Sequence, residues 1–408
     1  MTHKRAPWAA LFLAVGLLMA HAPTGGSPAT AGFIRFYAPP PNPGATQQIA
    51  KLRASGRNAA ADRLAAMVAN PQAVWVTWGT PAEARDYVAN TVAAAQADGS
   101  IPIFVAYNVP GRDCSLYSAG GAANGNAYRD WIDGFVQGLG QAAAVVIVEP
   151  DGLSLLPSDC GQSDPYDRVG LISYAAHAFL ADANASVYID AGNSNWNPVG
   201  LTAQRLVAAG VADTDGFALN VSNFQYTQNS NFYGTWVSKC VAYGTGVDPG
   251  IFDACPDQYG SWGGVPLSSY GIWSNNAGKS KFNVAAENAR YSELLGATKA
   301  TAHFVVDTSR NAVGPWKGTT THPASNSNTE AWCNPPNRGA GMRPTPSTGI
   351  SLVDAYLWVK LPGESDGECY RWTSGPKDPL RGIRDPSAGA WFKQMARELA
   401  DQAIPAFP

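Results

Sequence analysis

The chain has 408 residues, of which 45% are hydrophobic and only 14% are charged, and its formal net charge is −3. A chain with 13 Trp, 16 Tyr and 14 Phe is too apolar and aromatic to be disordered, and without a basic excess it is a poor candidate for nucleic-acid binding. Glycine and proline together supply 72 residues, so we expect a large, loop-rich globular protein.

The N-terminus has the pattern of a secretion signal. Lys4 and Arg5 precede an apolar run at residues 9–20 that is too short to cross a bilayer, and an A-x-A cleavage site ends at Ala31. We predict a signal peptide over 1–31, one domain over 32–408, and export of a mature protein that is not attached to a membrane. An uncleaved membrane anchor is the alternative.

All six cysteines lie after the predicted cleavage site. In an oxidising compartment an even number favours three disulfides, although six cysteines allow fifteen pairings. The sequence has no C-x-x-C pair and only five histidines, so a Cys/His metal site is not expected. The cysteines are Cys114, Cys160, Cys240, Cys255, Cys333 and Cys369.

Short, nearly continuous apolar runs predict strands that are buried on both faces, as in a parallel sheet. Amphipathic patterns between several of them predict helices over residues 82–97, 128–139 and 169–182. This alternation predicts an α/β fold, and about seven strands suggest a distorted TIM-like parallel barrel with long loop insertions. The predicted strands are 73–78, 102–107, 143–148, 186–189, 216–219, 303–306 and 355–359.

Residues 233–281 interrupt this rhythm. They are rich in Gly, Ser, Asn and aromatic residues and contain Cys240 and Cys255. We interpret them as a large loop insertion tied by a local disulfide, since long irregular segments inside a compact domain are usually functional or disordered. The segment 370–387 has a similar composition.

Carboxylic acids follow most of the predicted strands, where parallel barrels carry their active sites. One such aspartate would more often be a helix N-cap, but five at one rim predict an acidic site. The strand-end acids are Asp113, Asp151, Asp190, Asp307 and Asp366, with Glu149, Glu364 and Glu368 close by in sequence.

Two chemistries need several carboxylates without histidine partners. Glycoside hydrolysis uses one protonated acid and one carboxylate, and crowding of like charges keeps the acid protonated. A divalent-metal site is the alternative, but no spacing matches a known loop for such an ion. Tryptophans near strand ends offer flat faces for sugar rings, with core packing as the alternative interpretation. They are Trp75, Trp78, Trp196, Trp332 and Trp358.

Six segments, spread from Ala106 to Cys369, resemble those of glycoside hydrolase family 6, the inverting cellulases. The resemblance implies a distorted barrel of about seven strands. The segments are AYNVPGRDC (106–114), VVIVEPDGLSLLPSDC (145–160), YIDAGNSNW (188–196), VVDTSRN (305–311), WCNPPNRG (332–339) and WVKLPGESDGEC (358–369).

The resemblance implies roles for five catalytic residues. Asp151 matches the general acid, and Asp113 the neighbouring aspartate that raises the pKa of the acid and belongs to the water network. Asp366 matches the proposed base, Tyr107 the tyrosine that presses on the distorted sugar, and Arg112 an arginine coupled to the aspartate pair.

Substrate contacts follow from the same comparison. The family often has His where this chain has Asn193, which keeps hydrogen bonding but loses a titratable ring. The expected substrate-binding residues are Trp75, Asp190, Asn193, Trp196, Trp332, Lys360 and Glu364. The implied disulfides are Cys114–Cys160, Cys333–Cys369 and Cys240–Cys255, the first two pinning catalytic loops.

The resemblance therefore implies an enzyme that hydrolyses β-1,4-glucosidic bonds in cellulose, related β-glucans or cello-oligosaccharides with inversion. Together with the N-terminal signal and the absence of metal-ligand spacings, it predicts a secreted, monomeric enzyme that works without metal or cofactor. The acid and base carboxylates of inverting enzymes are about 6.5–9.5 Å apart. Endoglucanase action is favoured, with a cellobiohydrolase as the alternative. A non-catalytic glucan-binding protein is a rival from another class, but it would need the acid to be missing.

Overall fold

The computed structural model describes residues 34–182, 184–319, 330–371 and 373–408. The predicted signal peptide over 1–31 lies outside these residues. The seven strands are β1 (Val74–Val76), β2 (Ile103–Ala106), β3 (Ala144–Val148), β4 (Ala185–Asp190), β5 (Gly216–Leu219), β6 (His303–Asp307) and β7 (Val353–Leu357).

Nine α-helices lie in the described residues. Those predicted near 82–97, 128–139 and 169–182 are present with slightly extended N-terminal ends. The helices are α1 (Pro43–Ala54), α2 (Asn58–Val68), α3 (Pro81–Ala97), α4 (Gly125–Leu139), α5 (Arg168–Asp182), α6 (Val199–Ala208), α7 (Thr227–Ala242), α8 (Ala285–Leu295) and α9 (Lys393–Asp401). No helix among the described residues is both long and apolar enough to cross a bilayer.

The strands form one parallel sheet in chain order, β1 to β7, which curls into a distorted, TIM-like half-barrel. The predicted fold class is therefore confirmed. Strand pairing in the described residues is not continuous between β7 and β1. Two hydrogen bonds bring these edges together instead: Ala73 N–H donates to the Trp358 carbonyl at 2.9 Å, and the Trp75 indole N–H donates to the Val359 carbonyl at 2.8 Å.

The strands are buried on both faces because each contributes to two cores. Alternate residues such as Val105 and Ile147 fill the interior of the half-barrel. Their neighbours, such as Phe104 and Val146, pack against the surrounding helices. Because both faces are buried, the sequence of each strand is a nearly continuous apolar run.

The predicted insertion over 233–281 is wrong in its first ten residues. Residues 233–242 belong to α7, which buries Tyr233, Trp236 and Cys240 completely along one face. That spacing is helical, but glycine and polar residues between the anchors hide it. Irregular chain follows the helix, and the Cys240–Cys255 disulfide ties it to the helix end.

Candidate active site

The five strand-end aspartates lie at one edge of the half-barrel, because the carboxyl ends of parallel strands share that edge. Asp190 and Asp307 are the last residues of β4 and β6, while Asp113, Asp151 and Asp366 lie in the loops after β2, β3 and β7. Sequence reasoning therefore predicted which residues the fold gathers.

Asp151 is held in place through its backbone. Its N–H donates to Oδ1 of Asp190 at 2.9 Å, and Gly192 N–H donates to the same oxygen at 3.0 Å. Asp151 has φ of 65°, in the left-handed region that non-glycine residues rarely adopt. The turn around it is tight, since a Cβ on Gly152 would lie 2.9 Å from the Glu149 carbonyl oxygen. A constrained backbone turn therefore sets the direction of the Asp151 side chain.

Burial raises the pKa of Asp151 well above its ordinary value, and the negative charges of Asp190, Asp113 and Asp366 raise it further. Each cause disfavours the ionised carboxylate. Asp190 is itself buried, its pKa is raised to about 7, and its Oδ2 has no hydrogen-bond partner among the described residues. The pair therefore keeps at least one proton near neutral pH, as a general acid requires.

Asp113 belongs to the same cluster, since its charge acts on Asp151. Burial raises the pKa of its carboxyl to about 6, against the opposing effects of a 2.6 Å hydrogen bond from Ser118 N–H and of the Arg112 charge. The Cys114–Cys160 disulfide joins the loop that carries Asp113 to the segment that follows Asp151. The two aspartates therefore sit on covalently connected loops.

Arg112 organises the backbone of this site. Its guanidinium lies 4.5 Å from the ring centroid of Tyr107 and donates to the carbonyl oxygens of Thr77, Tyr107 and Ser118. No carboxylate in the described part of the chain accepts a hydrogen bond from it. Its coupling to Asp113 is thus through space, while its contacts fix the ends of β1 and β2.

Asp366 is held as one half of a buried ion pair. Nη1 of Arg310 lies 2.9 Å from its Oδ1, and Nζ of Lys360 lies 3.8 Å from the same oxygen. Asn334 N–H donates to the other oxygen at 3.0 Å. Arg310 is fully buried and stacks over Phe224 at 4.3 Å. The Cys333–Cys369 disulfide joins the segments that carry Asn334 and Asp366, so this carboxylate is tightly positioned.

Glu149 is a buried acid to which sequence analysis assigned no role. It has no solvent exposure, and its carboxylate accepts hydrogen bonds from Asn108 N–H, Val109 N–H and the Tyr128 hydroxyl at 2.9–3.1 Å. Burial raises its pKa to about 7. It ties the end of β2 to the turn that carries Asp151, so it helps to fix the positions of the loops that carry Asp113 and Asp151. Its place directly after β3 was the available sequence signal.

Asp307 also serves the scaffold. Its carboxylate accepts N–H hydrogen bonds from Ser222, Ser309 and Lys360 at 2.9–3.1 Å, and it is buried. It therefore joins the loops after β5, β6 and β7.

The predicted sugar-contact residues differ in exposure. Trp332 is 38% exposed and tilts against Tyr117, with ring centroids 6.2 Å apart. Trp196 is half-buried. Trp75 packs edge-on against Tyr107 at 5.5 Å and faces the half-barrel interior. Trp358, which the sequence pattern grouped with them, is fully buried core, with its N–H donated to the Met342 carbonyl.

The polar members of that set line the same rim. Asn193 is 5% exposed, and its side-chain oxygen accepts from Asn195 N–H at 2.9 Å. Lys360 donates from Nζ to the Ser365 carbonyl at 3.2 Å. Glu364 accepts from the Asn42 amide at 2.9 Å. The three disulfides of the structure are the pairs that the resemblance implies.

A carboxylic acid of raised pKa, in the same cluster as an ion-paired carboxylate at the edge of a parallel half-barrel, fits the requirements of glycoside hydrolysis. The sequence profile of the Glycosyl hydrolases family 6 matches residues 33–403, and the chain belongs to that family. Similar proteins include "Endoglucanase 1" of Streptomyces halstedii, 36% identical over 82% of both chains, and "Endoglucanase A" of Cellulomonas fimi, 34% identical over 82% of this chain and 54% of that protein.

Solved structures show the same fold. The endoglucanase Cel6 of Mycobacterium tuberculosis, in complex with methyl-cellobiosyl-4-deoxy-4-thio-β-D-cellobioside, matches with a TM-score of 0.62 and 31% identity, covering 91% of this chain and 98% of that one. The chain spans about half the length of "Endoglucanase A" from Cellulomonas fimi and Thermobispora bispora.

Proposed function

We propose that this chain hydrolyses β-1,4-glucosidic bonds of cellulose or related β-glucans with inversion at the anomeric carbon. The observation that carries the proposal is the position of Asp151 among three carboxylates, where burial and their charges raise its pKa, together with the ion-paired Asp366 in the same cluster. An acid and a carboxylate on the two sides of one bond are what inverting hydrolysis needs.

In the proposed reaction, Asp151 gives its proton to the glycosidic oxygen as the bond to the anomeric carbon breaks. A water molecule attacks that carbon from the opposite face and forms the new C–O bond. The water keeps one hydrogen in the new hydroxyl group and gives its other proton to Asp366 or, through the water network, to Asp113. Tyr107 lies beside the acid and presses on the distorted ring. Exchange with solvent restores the proton of Asp151 and removes the proton that Asp366 or Asp113 took up.

The sugar chain is proposed to run along the rim that carries the polar and aromatic residues. The half-buried face of Trp196 and the exposed face of Trp332 supply stacking platforms. Trp75 supplies the edge of the cleft floor beside Tyr107. The other proposed contacts are Asp190, Asn193, Lys360 and Glu364.

Replacement of Asp151 by Ala tests the proposal. General acid catalysis is worth about 10²–10⁴-fold, so hydrolysis of cellotetraose should fall by that amount. Hydrolysis of 2,4-dinitrophenyl cellobioside, whose leaving group needs little protonation, should fall far less. Asp62→Ala, on an exposed helix face, is the control. Equal losses on both substrates in a folded Asp151→Ala protein would remove Asp151 as the acid.

Internal cleavage is the proposed mode of action. Its support is that matched relatives named endoglucanase are 32–36% identical to this chain, whereas those named "Probable 1,4-beta-D-glucan cellobiohydrolase C" are 29–30% identical. An endoglucanase lowers the viscosity of a soluble cellulose derivative early, before many reducing ends appear. A slow viscosity loss with steady release of cellobiose would favour the cellobiohydrolase alternative.

We also propose that the protein is secreted, with residues 1–31 removed, and that residues 32–408 act as one monomeric catalytic domain. The support is that all six cysteines are paired in disulfides, which persist in oxidising compartments. N-terminal sequencing of protein from the culture medium should begin at residue 32. A sequence starting at Met1 would contradict the cleavage.

A further inference from the structure

The side chain of Trp78 is exposed beside the active site. It is 61% exposed, more than any other large hydrophobic residue in the described ranges. A single exposed hydrophobic residue is common on protein surfaces, so the surroundings of this indole decide whether it marks a binding surface.

Trp78 does not face the catalytic cleft. In β1 the side chains alternate: Trp75 packs with the interior core, whereas Val74 and Val76 pack with the outer core under the helices. Trp78 lies two positions after Val76, beyond the end of the strand, and it lines a cavity together with residues of α4, which packs against this outer core. Trp78 therefore belongs to a different surface from Trp75, which contacts Tyr107.

A cavity of about 440 Å³ opens under this indole. Its wall is formed by the turn after β1, the loop at residues 121–123 and one side of α4, which contributes Ala127, Asp130 and Trp131. The volume falls within the range of about 300–1,000 Å³ that is typical of small-molecule sites. The cavity is thus large enough for a ligand and not merely a packing gap.

The backbone that presents the indole is fixed. The Trp131 indole N–H donates to the Trp78 carbonyl at 3.2 Å. Thr80 and Glu83 then form a capping box that begins α3. Helix α4 approaches so closely that a Cβ on Gly134 would lie 2.2 Å from the Pro81 carbonyl oxygen. A rigid backbone with an exposed side chain is a preorganised platform, which lowers the entropic cost of binding.

The cavity is next to the catalytic loops. Thr77 and Asn108 both line it. The Thr77 carbonyl accepts from Arg112, and Asn108 N–H donates to Glu149. A chain held at the cavity would therefore lie near the rim that carries the acids.

We propose that the cavity beneath Trp78 is a second glucan-binding site, outside the catalytic cleft, which holds another segment of the polysaccharide. Its lining suits a neutral sugar: a flat indole face can stack on a pyranose ring, and the exposed Asp130 carboxylate can accept hydrogen bonds from vicinal hydroxyls. None of the residues that line it is basic, which disfavours an anionic ligand. The inference rests on the proposed function, since the ligand is the proposed substrate.

The test compares Trp78→Ala, Trp78→Phe and Asp130→Asn with Ile272→Ala, a control at another exposed hydrophobic residue. All variants are first checked for an unchanged melting temperature. Binding to amorphous cellulose and its hydrolysis should fall about three- to tenfold in Trp78→Ala, less in Asp130→Asn, and least in Trp78→Phe. kcat/KM on cellotetraose, which is expected to bind in the catalytic cleft alone, should stay within twofold.

Three outcomes would overturn the inference: unchanged cellulose binding in Trp78→Ala, an equal loss in Ile272→Ala, or an equal loss on cellotetraose. Unchanged binding would leave a protein partner as the occupant of this surface. If the unaltered protein cleaves neither cellulose nor cellotetraose, the proposed function itself fails, and that result is distinct from all three.

Discussion

The buried Glu149 provides a quantitative test of the electrostatics of the site. Its carboxylate has no solvent exposure, and three hydrogen bonds reach it from Asn108, Val109 and Tyr128. Replacement by Gln keeps the shape and removes the charge. Two opposing effects then compete, because burial disfavours the ionised carboxylate while its hydrogen bonds favour it.

Burial changes the pKa of Glu149 more than the hydrogen bonds do, since the pKa is raised from 4.5 to about 7. The folded protein therefore binds this proton more tightly than the unfolded chain does. The stabilising contribution is complete below about pH 4.5 and is lost as the pH rises through about 7. At 1.36 kcal/mol per pKa unit, the loss is about 3 kcal/mol.

Guanidinium unfolding of the two proteins at about pH 4 and pH 8 measures this loss. The free energy of unfolding of Glu149→Gln, relative to the unaltered protein, should rise by about 3 kcal/mol between the two pH values. Glu293→Gln, on an exposed helix face, controls for the removal of a surface charge. If Glu149→Gln instead loses relative stability toward pH 8, the hydrogen bonds outweigh burial and the reasoning is refuted.

Further predictions concern the other charges of the site. Asp113→Asn removes a charge that raises the pKa of Asp151, so the alkaline limb of the kcat/KM profile should move to lower pH; an unmoved limb would contradict the coupling. Asp190→Asn should move that limb further, because the charge of Asp190 raises the pKa of Asp151 more than the charge of any other neighbouring residue does. Arg310→Met leaves Asp366 buried without its closest cation and should lower the free energy of unfolding by about 3–5 kcal/mol in denaturant titrations, with part recovered when Asp366→Asn is added. A loss below about 1 kcal/mol would show that the ion pair is not structurally important.

The strands and the acids that follow them could be predicted because their signals are local. Each strand is buried on both faces, so its apolar run is continuous, and the next residues lie at the sheet edge. Asp113, Asp151 and Asp190 come together for this reason.

Other features depend on contacts between distant segments, which local patterns do not contain. Helix α7 was hidden because its polar residues, including Asn229, are buried by tertiary contacts. Helices α1 and α2 pack with α9 across almost the whole chain. The role of Glu149 depends on donors about 40 residues away in sequence, and the burial of Trp358 depends on Met342 and Phe407.

The stereochemistry of the first product tests the central claim most directly. Proton NMR during hydrolysis of cellotetraose follows the new anomeric centre before mutarotation mixes the anomers. Inversion with Asp151 as the acid predicts that the α-anomer appears first and the β-anomer only later. Initial formation of the β-anomer would mean retention through a covalent intermediate, and it would contradict the proposed mechanism.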